Sequence, residues 1–171
     1  IQRDPAFLRD VLEHGPDQAL EDVLGDVALG GMEETDTGAL MRRLRVAKRR
    51  VALLIALADI AGTWDVAKVT GGLSLFADAA ASAAVAHLLR QRADRGEIAL
   101  PYPDDPERDT GYFVLGMGKL GASELNYSSD IDLIVLYDEE KVRYTGNKSP
   151  REMFIRMTRD PGAVRILTSG S

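Results

Sequence analysis

Asp130 and Asp132 are carboxylates separated by one residue, placed after a glycine-rich stretch and directly before the apolar run Leu133-Ile134-Val135. Alternate residues of a strand project to one face, so this spacing predicts that both carboxylates converge on one point. Two unpaired carboxylates at the mouth of a sheet repel each other and require a cation. Hard oxygen ligands in that arrangement suit Mg²⁺, which binds through one or two carboxylates together with substrate phosphates. Upstream, Gly116-Met117-Gly118-Lys119-Leu120-Gly121 follows the short apolar run Tyr112-Phe113-Val114-Leu115. Glycines let backbone N–H groups approach a phosphate with no Cβ in the way. A helical turn starting near Ala122-Ser123-Glu124 would aim its N-terminus at the same anion. The chemistry is therefore metal-assisted transfer at phosphorus. Asp130 and Asp132 are its catalytic and metal-holding pair, and Gly118 and Gly121 its phosphate cradle. Lys119 is either an added cation or a solvated turn lysine. Ser128 and Ser129 either hydrogen-bond phosphate or shape the turn before the strand. One acid alone would read as a cap or a surface residue; the pair in this setting does not.

The same glycines formally match a dinucleotide fingerprint, and Asp138 and Glu139 lie about where a ribose-binding acid would fall. That fold needs a crossover of at least ~10–12 residues, mostly helical, before its next strand. Only residues 122–129 are available, and Asn126, Ser128 and Ser129 are poor helix formers. A P-loop is excluded because Lys119 lacks the required glycine spacing and is not followed by Ser or Thr.

The elements that must position these residues begin with helices. Asp4-Pro5 reads as a helix start, with Leu8, Val11 and Leu12 on one face, and Gly15-Pro16 as the break. Leu20, Val23 and Leu24 open a short second helix, and the polar, glycine-rich stretch from Gly30-Gly31 to Gly38 reads as a loop. Leu40, Leu44, Ala47, Val51, Leu54, Ile55 and Ala58 then form the stripe of a long amphipathic helix ended by Ala61-Gly62, with Trp64 in the connection. The basic run Arg42 to Arg50 is either a phosphate or nucleic-acid patch or a solvated face; runs of this kind on amphipathic helices are usually the latter. Gly72 to Leu89 is alanine-rich, with Leu73, Phe76, Ala80, Ala83, Ala84 and Leu88 as its core side, which predicts a close-packed helical hairpin. His14 and His87 have no metal-ligand neighbour at useful spacing and read as surface or packing residues. Gly96 to Asp109, rich in proline and acid, reads as a connection, and strands are predicted at Tyr112–Leu115, Ile131–Tyr137 and Ala163–Leu167. The fold class is α+β, with a helical region over 1–95, a linker over 96–110 and a small mixed-sheet core over 111–171.

The 171 residues are 45% hydrophobic and 28% charged, the composition of a folded chain. The net charge of −6 speaks against nucleic acid as a partner. Cysteine is absent, which excludes disulfides and thiolate zinc sites and is compatible with a reducing cytoplasm. No apolar run approaching the ~18 residues of a membrane span and no signal-peptide pattern are expected. The ends, Ile1 and Thr168-Ser169-Gly170-Ser171, read as those of a piece of something longer.

Taken together, Gly116 to Gly121 and Glu124-Leu125-Asn126-Tyr127-Ser128-Ser129-Asp130-Ile131-Asp132-Leu133-Ile134 resemble the signature of the bifunctional glutamine synthetase adenylyltransferase/adenylyl-removing family. Met41-Arg42-Arg43-Leu44-Arg45 and Asp59-Ile60-Ala61-Gly62 resemble its helical lead-in. The resemblance implies a polymerase-β-like nucleotidyltransferase core and one or two Mg²⁺ ions on Asp130 and Asp132. It also implies phosphate or nucleotide contacts from Gly118, Lys119, Gly121, Ser128 and Ser129, with ATP or ADP as the nucleotide. It further implies glutamine synthetase as protein substrate, a PII signalling protein as a possible partner, and a cytoplasmic location. Asn126-Tyr127-Ser128-Ser129 and Met41 to Arg50 resemble the N-terminal, adenylyl-removing half; the alternatives are the transferase half and a non-catalytic nucleotide-binding module. Phe154 to Arg159 resembles the helix before the family's third carboxylate, and Asp160-Pro161-Gly162-Ala163 the turn after it. The piece between is missing near Arg159–Asp160, and Asp160 is not expected to replace that ligand.

Overall fold

The structure is a computed structural model that describes residues 4–147 and 149–159. Helix α1 spans Pro5–His14; the Asp4 carboxylate accepts from Phe7 N at 3.2 Å, and Gly15, at φ 87°, ends the helix where Pro16 begins the next. Helix α2 runs Pro16–Glu33, much longer than the short helix the sequence predicts, and takes in Gly30 and Gly31. These glycines are not loop residues. A Cβ on Gly31 would lie 2.6 Å from the Ala83 Cα, and one on Gly30 would lie 2.8 Å from Arg43 Cδ, so both serve close helix packing. Only residues 34–36 connect α2 to α3 (Thr37–Ile60), whose start Asp36 caps by accepting from Ala39 N at 2.7 Å.

The buried residues of α3 are Leu40, Leu44, Ala47, Val51, Leu54, Ile55 and Ala58, the stripe read from the sequence. Helix α4, Val66–Asp94, starts earlier and ends later than predicted and closes a hairpin on α3. By length and mean hydropathy (1.4) α4 is apolar enough to cross a membrane, contrary to the expectation of no such run. The reason is internal, since 67% of the apolar window is buried within the protein. Phe76, Ala80, Ala83 and Ala84 join the core with α1, α2 and α3; Val85, Leu88 and Leu89 join a second core with Tyr112, Met153, Phe154 and Met157; Ala77 joins a third with Leu120 and Leu125. A helix buried on several sides reads as apolar all round.

His87 is 1% exposed. Its Nδ1 sits 2.9 Å from Glu34 O, an atom that can only accept, so Nδ1 carries the proton and donates. Its Nε2 lies 2.9 Å from Gln91 Nε2 and 3.0 Å from Thr37 Oγ1, which ties α4 to the α2–α3 connection. Burial lowers the imidazole pKa below its ordinary value. His14 is exposed and pairs with Asp10 at 2.9 Å.

Strands β1 (Tyr112–Gly116) and β2 (Leu133–Tyr137) form an antiparallel pair, from Tyr112↔Tyr137 to Gly116↔Leu133. Among the described residues the sheet has these two strands only, antiparallel rather than mixed. The predicted third strand, Ala163–Leu167, and the Arg159–Asp160 junction lie outside the described residues. The inner face rests on α4 and on α6 (Pro150–Arg159), where Phe154 stacks on Tyr112 at 5.2 Å and meets Tyr137 at 5.1 Å. On the outer face Phe113, Leu115, Ile134 and Leu136 are 41–45% exposed. Residues 96–110 lie against the fold: Ile98 is buried and bridges to Tyr144, and Thr110 is buried. The architecture is α+β and mostly helical.

Candidate active site

Strand β1 delivers the chain to Met117, whose N–H donates to Asp132 O at 2.9 Å, one step beyond the ladder. This bond brings the glycine turn and the acidic pair together. Regular pairing starts at Leu133, so Asp130 and Asp132 stand on the lead-in to β2 rather than inside the strand. Both are exposed, while Ile131 between them is half-buried and packs with Leu133 toward Leu120, Leu125 and Ala77. The alternation predicted for a strand therefore holds through the lead-in.

The helical turn expected at Ala122-Ser123-Glu124 occurs earlier, as α5 (Gly118–Gly121). The glycines make it so. Gly118 has φ 56°, a conformation that side chains resist, and a Cβ there would sit 3.9 Å from Asp132 Oδ2. A Cβ on Gly121 would be 2.5 Å from Gly116 O, so Gly121 permits α5 to fold back on the end of β1. Ser123 takes φ 57° as the turn leaves α5. Lys119 is exposed beside Gly118. Gly118 and Asp132 are adjacent; Gly121 faces the strand end.

From Leu125 to Ser129 the loop holds its own shape. Asn126 Oδ1 accepts from Ser128 N at 3.1 Å and from Ser129 Oγ at 2.8 Å, while Ser129 Oγ accepts from Asn126 N at 3.0 Å. The Ser129 hydroxyl is thus engaged in the turn, and Ser128 is exposed. Tyr127 OH donates to Asp59 Oδ2 at 3.3 Å, and burial, then the Asp59 carboxylate, raise the phenol pKa. A cleft of about 100 Å³ lies under this loop, lined by Lys48, Val51, Phe76, Leu125, Tyr127 and Ile131 among others. Three of the other basic residues of α3 are committed elsewhere: Arg42 to Asp36 (3.7 Å), Arg43 to Asp26 (2.8 Å) and Arg50 to Asp4 (2.7 Å).

Neither Asp130 nor Asp132 has a side-chain hydrogen bond or ion pair among the described residues, which leaves both carboxylates available to a cation. No group of three or more His, Cys, Asp or Glu that could hold a metal occurs among those residues. Two carboxylates with an open glycine beside one of them fit an ion that takes its remaining ligands from phosphates and water, as Mg²⁺ does.

The fold sets an exposed acidic pair beside a glycine turn on a helical layer, and comparison with known proteins gives the class of the chain. The glutamate-ammonia ligase adenylyltransferase family matches residues 1–163, and the chain belongs to that family. Its members are nucleotidyltransferases. Similar relatives carry the name bifunctional glutamine synthetase adenylyltransferase/adenylyl-removing enzyme. The protein of Bradyrhizobium diazoefficiens is 42% identical and that of Rhodopseudomonas palustris 44% identical, each over 98% of this chain and 17% of the relative. A Bradyrhizobium protein is 50% identical over 80% of this chain and 13% of its own length. The chain thus spans about a sixth of the length of the first two.

Proposed function

We propose that the protein carrying this chain removes AMP from an adenylylated tyrosine of glutamine synthetase by Mg²⁺-dependent phosphorolysis, and so tunes nitrogen assimilation in the cytoplasm. The observation that carries this reading is the exposed, unpartnered Asp130/Asp132 pair beside Gly118, in a chain of this family. Asp130 and Asp132 would hold one or two Mg²⁺ ions. When bound, Mg²⁺ neutralises charge on the entering and leaving oxygens and orients them for in-line displacement. Gly118, lacking a Cβ, leaves the Oδ2 side of Asp132 open to a phosphate, and Lys119 adds positive charge at that rim. An oxygen of inorganic phosphate bonds to the AMP phosphorus as the bond to the tyrosyl oxygen breaks. ADP and unmodified tyrosine result. The Asn126–Ser129 turn sets where Asp130 begins, and a PII signalling protein is a candidate regulator.

The relatives' name covers both removal and transfer of the adenylyl group, so the forward reaction from ATP is the second reading. The two are separated in the full-length protein. The Asp130→Asn and Asp132→Asn variants should each lower ADP release from adenylylated glutamine synthetase at least about 100-fold, corresponding to roughly 2.7 kcal/mol, and spare AMP incorporation from ATP. Loss of incorporation with ADP release intact assigns the chain to transfer. Turnover unchanged in both assays rejects the site.

A further inference from the structure

We infer that Ser74, in the middle of α4, is a positioning residue for the Asp130/Asp132 pair; this rests on the site reading above. Ser74 is 1% exposed in an otherwise apolar stretch, Leu73-Ser74-Leu75-Phe76. Its hydroxyl donates to Thr70 O at 2.8 Å, which fixes the rotamer and leaves a lone pair directed away from the helix. That lone pair accepts from Leu125 N at 3.2 Å, a buried contact across 51 residues of sequence. A buried backbone N–H without a partner is costly, so this bond decides where Leu125 can sit.

Leu125 is the buried residue of the loop between α5 and β2 that precedes the Asn126–Ser129 turn and Asp130. Beyond it, the Asn126–Ser129 turn is closed on itself by side-chain and backbone bonds. A displacement at Leu125 therefore moves the turn as a unit and carries Asp130 with it. The side chains of Leu125 and Leu120 pack on Ala77, one turn further along α4, with Leu73, Ile131 and Leu133 around them. The same face of one helix thus supplies both the hydrogen bond and the apolar seat beneath the acidic pair. Asp132 is also held by the Met117 N–H at 2.9 Å and Tyr127 by Asp59 at 3.3 Å, but of these ties only Ser74–Leu125 is buried at both ends. Outer groups that orient metal ligands affect metal affinity by about 10–100-fold.

The test uses full-length protein and three measurements. The Leu125 amide should exchange slowly in the unmodified protein and at least about tenfold faster in Ser74→Ala. Mn²⁺ binding followed by titration, and the Mg²⁺ concentration for half-maximal ADP release, should both weaken at least about tenfold in Ser74→Ala, and Ser74→Thr should restore them. Ala84→Gly, a buried change in the same helix away from the loop, serves as the stability control. It should lower Tm without altering metal binding. Rapid Leu125 exchange in the unmodified protein, or equal metal weakening in Ala84→Gly and Ser74→Ala, overturns the proposal. If Ser74→Ala does not fold, the Leu125 exchange rate and the Ser74→Thr titration still decide it. Full turnover in Asp132→Asn would instead sink the site reading, leaving the Ser74–Leu125 anchor to be judged on exchange alone.

Discussion

The helical layer and the sheet segment meet on α4, yet they are built to different standards. In the layer, Leu40, Leu44, Leu54, Ile55 and Val27 have no exposure at all, and glycines at 30 and 31 let backbones approach closely. In the segment, two five-residue strands have one face packed on α4 and α6, and an apolar face left 41–45% open. An isolated two-stranded hairpin is marginal in water, so the segment draws its order from the helices beneath it. The candidate site stands at the edge of the less covered region and is anchored in the better packed one. The lesson is that a helix remote in sequence can be the foundation of a loop-borne site.

The sharpest way to break this contrast is Phe154→Ala, which removes the ring that joins Tyr112 and Tyr137 to the second core. A loss of about 3–5 kcal/mol is expected. Amide exchange should accelerate in β1 and β2 well before α2 and α3; equal acceleration everywhere would make the two regions one cooperative unit. Gly31→Ala tests the other side. Its Cβ would meet the Ala83 backbone, and overpacking of about 1–3 kcal/mol should appear as a lower Tm. An unchanged Tm would mean that α2 and α4 separate easily.

Acid should act on the helical layer through His87. Burial lowers its folded pKa, so the unfolded chain takes up a proton at higher pH than the folded one. Stability is therefore full above about 6.5 and falls as pH drops below that value. Protonation would put a donor on Nε2 opposite the Gln91 amide, with Arg90 adding repulsion and Asp36 and Glu34 opposing it. Unfolding midpoints recorded from pH 8 to pH 5 should fall, and His87→Gln should flatten the slope. A slope unchanged by that substitution removes His87 as the cause. The smallest effect belongs to Arg42→Ala. Its 3.7 Å pair with Asp36 is exposed, and a change of under about 0.5 kcal/mol in denaturant unfolding is expected.

Periodicity made α3 readable residue by residue, because a single buried stripe leaves a 3.6-residue signature. The ends of α4 were less legible: a helix buried on several sides has no clear stripe. Gly30 and Gly31 read as a loop because local propensity disfavours glycine in helices, whereas the partner helix requires it there. The acidic pair, the glycine turn and the link between them were visible as spacing. The shift of the helical turn to Gly118–Gly121 was not, since it depends on Gly121 folding against Gly116 O. Ser74 gave only a faint signal, a hydroxyl within an apolar helix.

By itself the sequence determined which residues are candidates for chemistry and where the apolar stripe of α3 lies, because both depend on residue type and short-range spacing. Only the tertiary structure decided that α4 is the common floor of three cores and that its Ser74 meets Leu125 across 51 residues. Contacts of that range are fixed by how the elements pack, and no local pattern encodes them.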